Sequence, residues 1–161
     1  MNSRLYDLTN PQKNIWNTEQ YYKGTSVNNI GGTVHLKTQL NFSALSKAVS
    51  NVILARDNFH IRLIKDGTDI KQAFVNLEDY HIEIIDLSDL SELSLIEEKM
   101  CQTVFSIEND DLFCVKIFRL PDGTGGVTSV MHHIISDGTS LNILAKDFIY
   151  AYCDKENEAL K

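Results

Sequence analysis

Between Ser43 and Ala55 the apolar residues Leu45, Ala48, Val49, Val52 and Ile53 recur at i, i+3, i+4, i+7 and i+8. That spacing draws a single apolar stripe along an α-helix and leaves the other face polar. A helix of this kind holds only when its stripe is covered, so the rest of the chain must supply a second layer. The neighbouring segments have strand character. Ile61–Ile64 and Ile70–Val75 read as short strands joined by the turn Lys65-Asp66-Gly67-Thr68. His81–Ile85 reads as a third. Asp111–Leu120 and Gly126–His133 read as two longer strands on either side of the turn signal Pro121-Asp122-Gly123.

Three further helices and one more strand complete the pattern. Thr9-Asn10-Pro11 opens a helix to about Tyr22: Thr9 or Asn10 can cap it, and Pro11 sits where a missing N–H costs nothing. Asn29–Lys37 is a strand whose Gly31-Gly32 pair marks a bulge or a close backbone approach. Ser88 to about Phe105 is a helix with Asp89 and Glu92 early and Leu93, Ile96 and Met100 on its apolar side. Gly138 to Cys153 is the last, with Leu141, Leu144, Ala145, Phe148 and Tyr152 on one side; the charged stretch Asp154–Glu158 is expected to fray. The order is roughly βαβαβββαββα. The predicted fold class is α/β, a two-layer sandwich of a mostly mixed β-sheet covered by helices on one face.

Composition removes several function classes. The chain has 161 residues, 43% of them hydrophobic, which suits one folded unit with a sizeable core. Its 15 Lys and Arg against 22 Asp and Glu give a net charge of −7, the wrong sign for a nucleic-acid track or a polybasic membrane surface. No apolar run approaches the length of a membrane span, and Met1–Asp7 has no apolar core of a signal peptide, so a cytoplasmic protein is expected. Cys101, Cys114 and Cys153 lack paired spacing and read as buried or half-buried free thiols in a reducing cytosol, with Cys114 a small core hydrophobe. His35 and His81 read as surface or sheet residues. The Gly123–Gly126 run leads into a strand, so it is a hairpin turn and not a dinucleotide loop.

The segment that can carry chemistry is Met131-His132-His133-Ile134-Ile135-Ser136-Asp137-Gly138, set between a strand and a helix. Free helix N–H groups and reactive side chains meet at such a junction. Consecutive strand residues point to opposite faces, so His132 and His133 are not expected to share one metal; one should look inward and one toward a cleft. An imidazole there can accept and return a proton near neutral pH. Asp137 either orients that imidazole or anchors the turn. Gly138 permits tight approach and unusual backbone angles, and the first N–H groups of the helix can face a developing oxyanion.

The same residues, His132-His133-Ile134-Ile135-Ser136-Asp137-Gly138, match the HHxxxDG signature, and here the chain resembles the condensation domains of nonribosomal peptide synthetases, of the chloramphenicol acetyltransferase-like superfamily. Leu8-Thr9-Asn10-Pro11-Gln12-Lys13-Asn14-Ile15-Trp16 is similar to that family's opening signature, and Asp57-Asn58-Phe59-His60-Ile61-Arg62-Leu63 to its second. The three lie in family order across nearly the whole chain. In the second signature the family usually carries an Arg, which commonly pairs with the motif Asp, where His60 stands here. The partner of Asp137 is then His60 or Arg62, or the pairing is absent. His60 would pair best when protonated, so its pairing would weaken above neutral pH.

The resemblance implies that residues 1–161 form the N-terminal lobe of a two-lobed domain whose C-terminal lobe is not in this chain, a fragment or a split protein. It implies amide bond formation between a carrier-bound acyl or peptidyl thioester and a carrier-bound aminoacyl group. His133 would stand at the reaction centre as general base or as a positioning group. Gly138 would keep the turn open and offer its N–H, while Asp137, His132, His60 and Arg62 would serve structure around them. No cofactor would be bound directly. Phosphopantetheine arms of carrier domains would deliver both substrates, an adenylation domain would load them, and nucleic acid and membrane would play no part. The exposed lobe face could self-associate, and the lobe alone is expected to be inactive. The rival readings are a CoA-dependent acyltransferase of the same superfamily, disfavoured by Pro11-Gln12 ahead of Trp16, and a non-catalytic interaction lobe.

Overall fold

The structure is a computed structural model and describes residues 4–108 and 110–159; residues 1–3, 109 and 160–161 lie outside it. Its elements are β1 (Tyr6–Asp7), α1 (Asn10–Tyr21), β2 (Asn29–Leu36), α2 (Phe42–Ala55), a 3₁₀ turn (Asp57–His60), β3 (Ile61–Asp66), β4 (Asp69–Phe74), β5 (Glu83–Asp86), α3 (Ser91–Cys101), β6 (Phe113–Arg119), β7 (Gly125–His132) and α4 (Gly138–Ala159). The expected order holds, its first strand, to which the sequence pattern assigned no residues, being the two-residue β1. The seven strands divide between a four-stranded sheet, β2-β7-β6-β5, and a three-stranded one, β1-β4-β3. In the larger sheet only β5 runs parallel to its neighbour, β6.

α1 starts where the sequence offered two caps, and Thr9 takes the role. Its hydroxyl accepts from Gln12 N while Gln12 Oε1 accepts from Thr9 N, a reciprocal box that satisfies two of the free donors. α2 is capped by Asn41, whose Oδ1 accepts from Ala44 N at 3.1 Å. Its stripe of Leu45, Ala48, Val49, Val52 and Ile53 is buried throughout. Leu144, Phe148 and Tyr152 of α4 meet it, and together they cover Val115, Ile117, Val127 and Met131 of the larger sheet. Each fully buried Leu, Ile or Phe there contributes about 1.5–3 kcal/mol.

The α/β fold class stands, with one correction: the helices do not all cover one face. Phe118 alternates away from Ile117 and packs with Leu93 of α3, so α3 covers the opposite side of the sheet. The cause lies in the far sides of β6 and β7: Phe118 there is apolar, and β7 is buried along its whole length, so that side needs cover too. α3 is also shorter than the sequence suggested. Its N-cap residue, Leu90, makes no side-chain cap, although Asp89 Oδ1 accepts from Ser91 N at 2.6 Å, and at the other end Asn29 Nδ2 donates to the carbonyls of Cys101 and Thr103 at 2.9 and 2.7 Å, taking groups that would continue the helix. β5 is shifted to Glu83–Asp86, and the ion pairs Glu83–Lys116 and Asp86–Arg119 join residues that its parallel register sets side by side. α4 runs on through the stretch expected to fray, which holds no Gly or Pro to stop it.

The β2–β7 register is unbroken, so Gly31-Gly32 forms no bulge. The alternative holds at Gly31, where a Cβ would come 2.9 Å from Cys101 Sγ. Cys101 and Cys153 are exposed and Cys114 is half-buried, so the expectation of shielded thiols holds for Cys114 alone. No helix among the described residues is long and apolar enough to cross a membrane.

Candidate active site at the end of β7

The antiparallel pairing of β2 with β7 sets Asn29 against His132, the last residue of β7. One residue further, His133 N donates to Asn28 O at 2.7 Å, and the chain then turns toward α4. Gln12 of α1 closes the turn from the other side: its Nε2 donates to Ile134 O at 3.2 Å and to Gln72 Oε1 of β4 at 2.9 Å. Three distant segments therefore converge on residues 132–138.

The two histidines diverge. His132 is 4% exposed. Its Nδ1 accepts from Ile134 N and its Nε2 faces Glu19 Oε2, both at 3.2 Å. Because a backbone N–H only donates, the ring proton of neutral His132 sits on Nε2. Burial holds this imidazole below its ordinary pKa, against the opposing pull of Glu19. His133 is exposed. Its Nδ1 lies 2.8 Å from Ser136 O, and a carbonyl only accepts, so Nδ1 carries the proton and Nε2 keeps the free lone pair. Nε2 makes no hydrogen bond among the described residues.

His133 lines an open cavity of about 370 Å³ together with Thr9, Gln12, Gln72, Asp137 and Ser140. Asp137 shares that wall but does not hold the imidazole; Ser136 O does. Asp137 Oδ1 instead takes the Ser140 N–H and hydroxyl, each at 2.7 Å, which caps α4. Those two bonds, with His133 nearby, hold its carboxyl below the usual carboxylate range. Gly138 begins α4 and faces a different cleft, about 210 Å³ between β2 and α4. Its φ is not positive, and a Cβ there would meet nothing within 4 Å, so the expected need for unusual backbone angles is absent.

Neither expected partner of Asp137 is paired with it. His60 is held between Val75 O at 2.9 Å and Leu54 O at 3.0 Å. Arg62 donates to Phe59 O at 2.9 Å and Ile61 O at 2.8 Å and pairs with Asp111. Both side chains are engaged near the 3₁₀ turn after α2, His60 by carbonyls and Arg62 by carbonyls and Asp111. Sequence reasoning gave no role to Glu19, Asn28 or Gln72. Glu19 was findable as the one acid on a helix side shared with apolar Ile15 and Trp16; Asn28 and Gln72 left no signal. Among the described residues no group of three His, Cys, Asp or Glu side chains could hold a metal ion.

Residues 2–160 match the family described as Condensation domain. A plipastatin synthase subunit of Bacillus subtilis (strain 168) is 26% identical over 157 residues, covering 94% of this chain and 6% of that protein. Surfactin synthase subunit 1 of the same organism is 26% identical over 163 residues, covering 96% of this chain and 4% of that protein. Among solved structures, the first condensation domain of the CDA synthetase superposes with a TM-score of 0.84 at 20% identity, over 93% of this chain and 40% of that one. The starter condensation domain of rhizomide synthetase RzmA gives 0.83 at 20% identity, over 93% and 38%. The chain thus spans well under half the length of every one of these relatives.

Proposed function

The chain belongs to the condensation-domain family, and from that membership we propose that it is the N-terminal lobe of a domain that joins a carrier-bound acyl or peptidyl thioester to a carrier-bound aminoacyl group. The amine nitrogen attacks the thioester carbonyl, the C–N bond forms, the C–S bond breaks, and the amine proton ends on the departing sulfur. A C-terminal lobe would wall the open side of the His133 cavity. Phosphopantetheine arms of carrier domains would bring both substrates, with aminoacyl groups loaded by an adenylation domain, and the lobe itself would hold no cofactor.

The observation that carries this reading is the His133 ring. Its donor nitrogen is committed to Ser136 O, which leaves Nε2 as an acceptor on the wall of an open cavity. An acceptor so placed can take a hydrogen bond from the incoming amine, orient its lone pair and carry its proton. Amine and thioester are already a reactive pair, so holding them together supplies much of the acceleration, about 7–11 kcal/mol of barrier in well-oriented cases. Gly138 starts α4 on the cleft beside the His133 cavity, and its N–H would be a donor for the developing oxyanion where a bound substrate spans the two. Asp137 fixes that helix start. His132 holds the turn before it, while His60 and Arg62 hold backbone near the 3₁₀ turn after α2.

The test uses a complete condensation domain carrying this lobe, with both carriers loaded. His133→Ala is expected to slow condensation about a hundredfold. Condensation at full rate in that variant would sink the reading. Asp137→Ala is expected to lower the melting temperature of the chain, and an unchanged melting temperature would remove its anchoring role.

A further inference from the structure

We propose that Glu19 is a positioning residue for His133, acting through Asn28 and His132. The inference rests on the reading that His133 works at the reaction centre, and it names what holds that residue in place. Glu19 stands near the end of α1 and is only 5% exposed. One of its oxygens, Oε2, accepts from Asn28 Nδ2 at 2.8 Å and faces His132 Nε2 at 3.2 Å. Both partners are as deeply buried as Glu19, at 7% and 4%.

Each of these two residues then grips one end of the His133 backbone. Asn28 O takes the His133 N–H at 2.7 Å. His132 Nδ1 takes the next amide, that of Ile134, at 3.2 Å. A single carboxylate oxygen thus gathers the two groups that bracket the His133 peptide, one from the loop before β2 and one from the end of β7. The direction of the His132 ring matters to this. Only with its proton on Nε2, facing Glu19, is Nδ1 free to accept from Ile134 N. The carboxylate selects that tautomer.

An acid here is costly if filling space were the only need. Burying a carboxylate loses its hydration, and the helix side it occupies already carries Ile15 and Trp16, which pack on the core. An apolar residue would fill the position without that cost, but it would leave Asn28 Nδ2 and the His132 N–H without acceptors and the turn free to drift. A displacement of about 1 Å at a reacting group can cost a hundredfold in rate.

Amide hydrogen exchange on the chain, followed by NMR, reads the positioning directly. In Glu19→Leu the His133 and Ile134 amides are expected to exchange at least about tenfold faster, while Val115 and Val127 in the sheet keep their protection. Glu19→Gln is expected to stay near wild type, because one amide oxygen can take both donors. Should the leucine variant lose sheet protection, Glu19→Asp replaces it: it keeps the charge but withdraws the oxygen by one methylene, and the same two amides are expected to loosen. In the complete domain, the loosening variant is expected to lower kcat about tenfold or more with KM for both carriers nearly unchanged, and glutamine to restore it. Unchanged exchange at His133 and Ile134, or unchanged kcat, in a folded loosening variant overturns the proposal. If His133→Ala kept full activity, the functional reading would fail while the exchange result stood; if His133→Ala were slow and the loosening variant fast, only the positioning role would fail.

Discussion

The His133 imidazole closes on its own turn, with Nδ1 2.8 Å from the carbonyl oxygen of Ser136, so the ring is oriented by backbone and not by the carboxylate of Asp137. An asparagine can make the same bond, because its amide nitrogen hangs from Cγ as Nδ1 does, but it has nothing in the place of Nε2. His133→Asn is therefore expected to melt within a few degrees of wild type and to condense as slowly as His133→Ala. Near-normal turnover in the asparagine variant would show that Nε2 is not the working atom.

Gln12 spends its whole amide on structure. Its Oε1 accepts from Thr9 N at 2.9 Å and from the Thr9 hydroxyl at 3.1 Å, while Nε2 ties Gln72 and Ile134. Gln12→Ala is expected to cost about 1–3 kcal/mol in denaturant unfolding, since it strands the Ile134 carbonyl and the Gln72 side chain. Gln12→Glu should be no better, because its second oxygen would face two acceptors.

Gly138 separates folding from chemistry. A Cβ there meets open space and the backbone is helical, so Gly138→Ala should leave the melting temperature unchanged or slightly higher. In the complete domain the same methyl group stands beside the free amide at the head of α4, and condensation is expected to fall about tenfold or more. Loss of stability in the chain, or full turnover in the domain, would each contradict this.

Acid should weaken the fold through His132. Burial holds its imidazole below the ordinary value of about 6.5, so between the two values the unfolded chain binds more protons than the folded one. Stability from this residue is complete above about pH 6.5 and declines as pH falls beneath it. Unfolding free energies measured from pH 7.5 down to 5.5 are expected to drop more steeply in wild type than in His132→Gln. Equal slopes would refute the assignment.

Much of this was legible in the sequence because it rests on local rules. The stripe of α2, the Thr9 cap and the strand–turn–helix around His133 each need only a few neighbouring residues. The divergence of His132 and His133 was also foreseeable, although its cause differs: β7 ends at His132, and the turn, not strand alternation, swings His133 outward. What could not be read was which side chains the unpaired backbone carbonyls would claim. His60 and Arg62 are taken up by carbonyls of Leu54, Val75, Phe59 and Ile61, which no side-chain pattern marks. The far-side placement of α3 follows from the double-faced burial of β6 and β7, and an apolar run does not say which helix answers it. Glu19 stands out in the sequence as an acid beside Ile15 and Trp16, but no local pattern marks what it binds, Asn28 and the His132 ring.

The pairing of β2 with β7 also sets a timetable. β2 is complete before α2 begins, yet β7, its one neighbour in the larger sheet among the described strands, comes only after α2, β3, β4, β5, α3 and β6. During synthesis the early strand must therefore wait unzipped while the hairpin β6–β7 emerges, and the motif histidines arrive together with the strand that ends the wait. The reactive corner thus takes shape only when the sheet closes on β7, although half of its scaffold, in α1 and β2, was made long before.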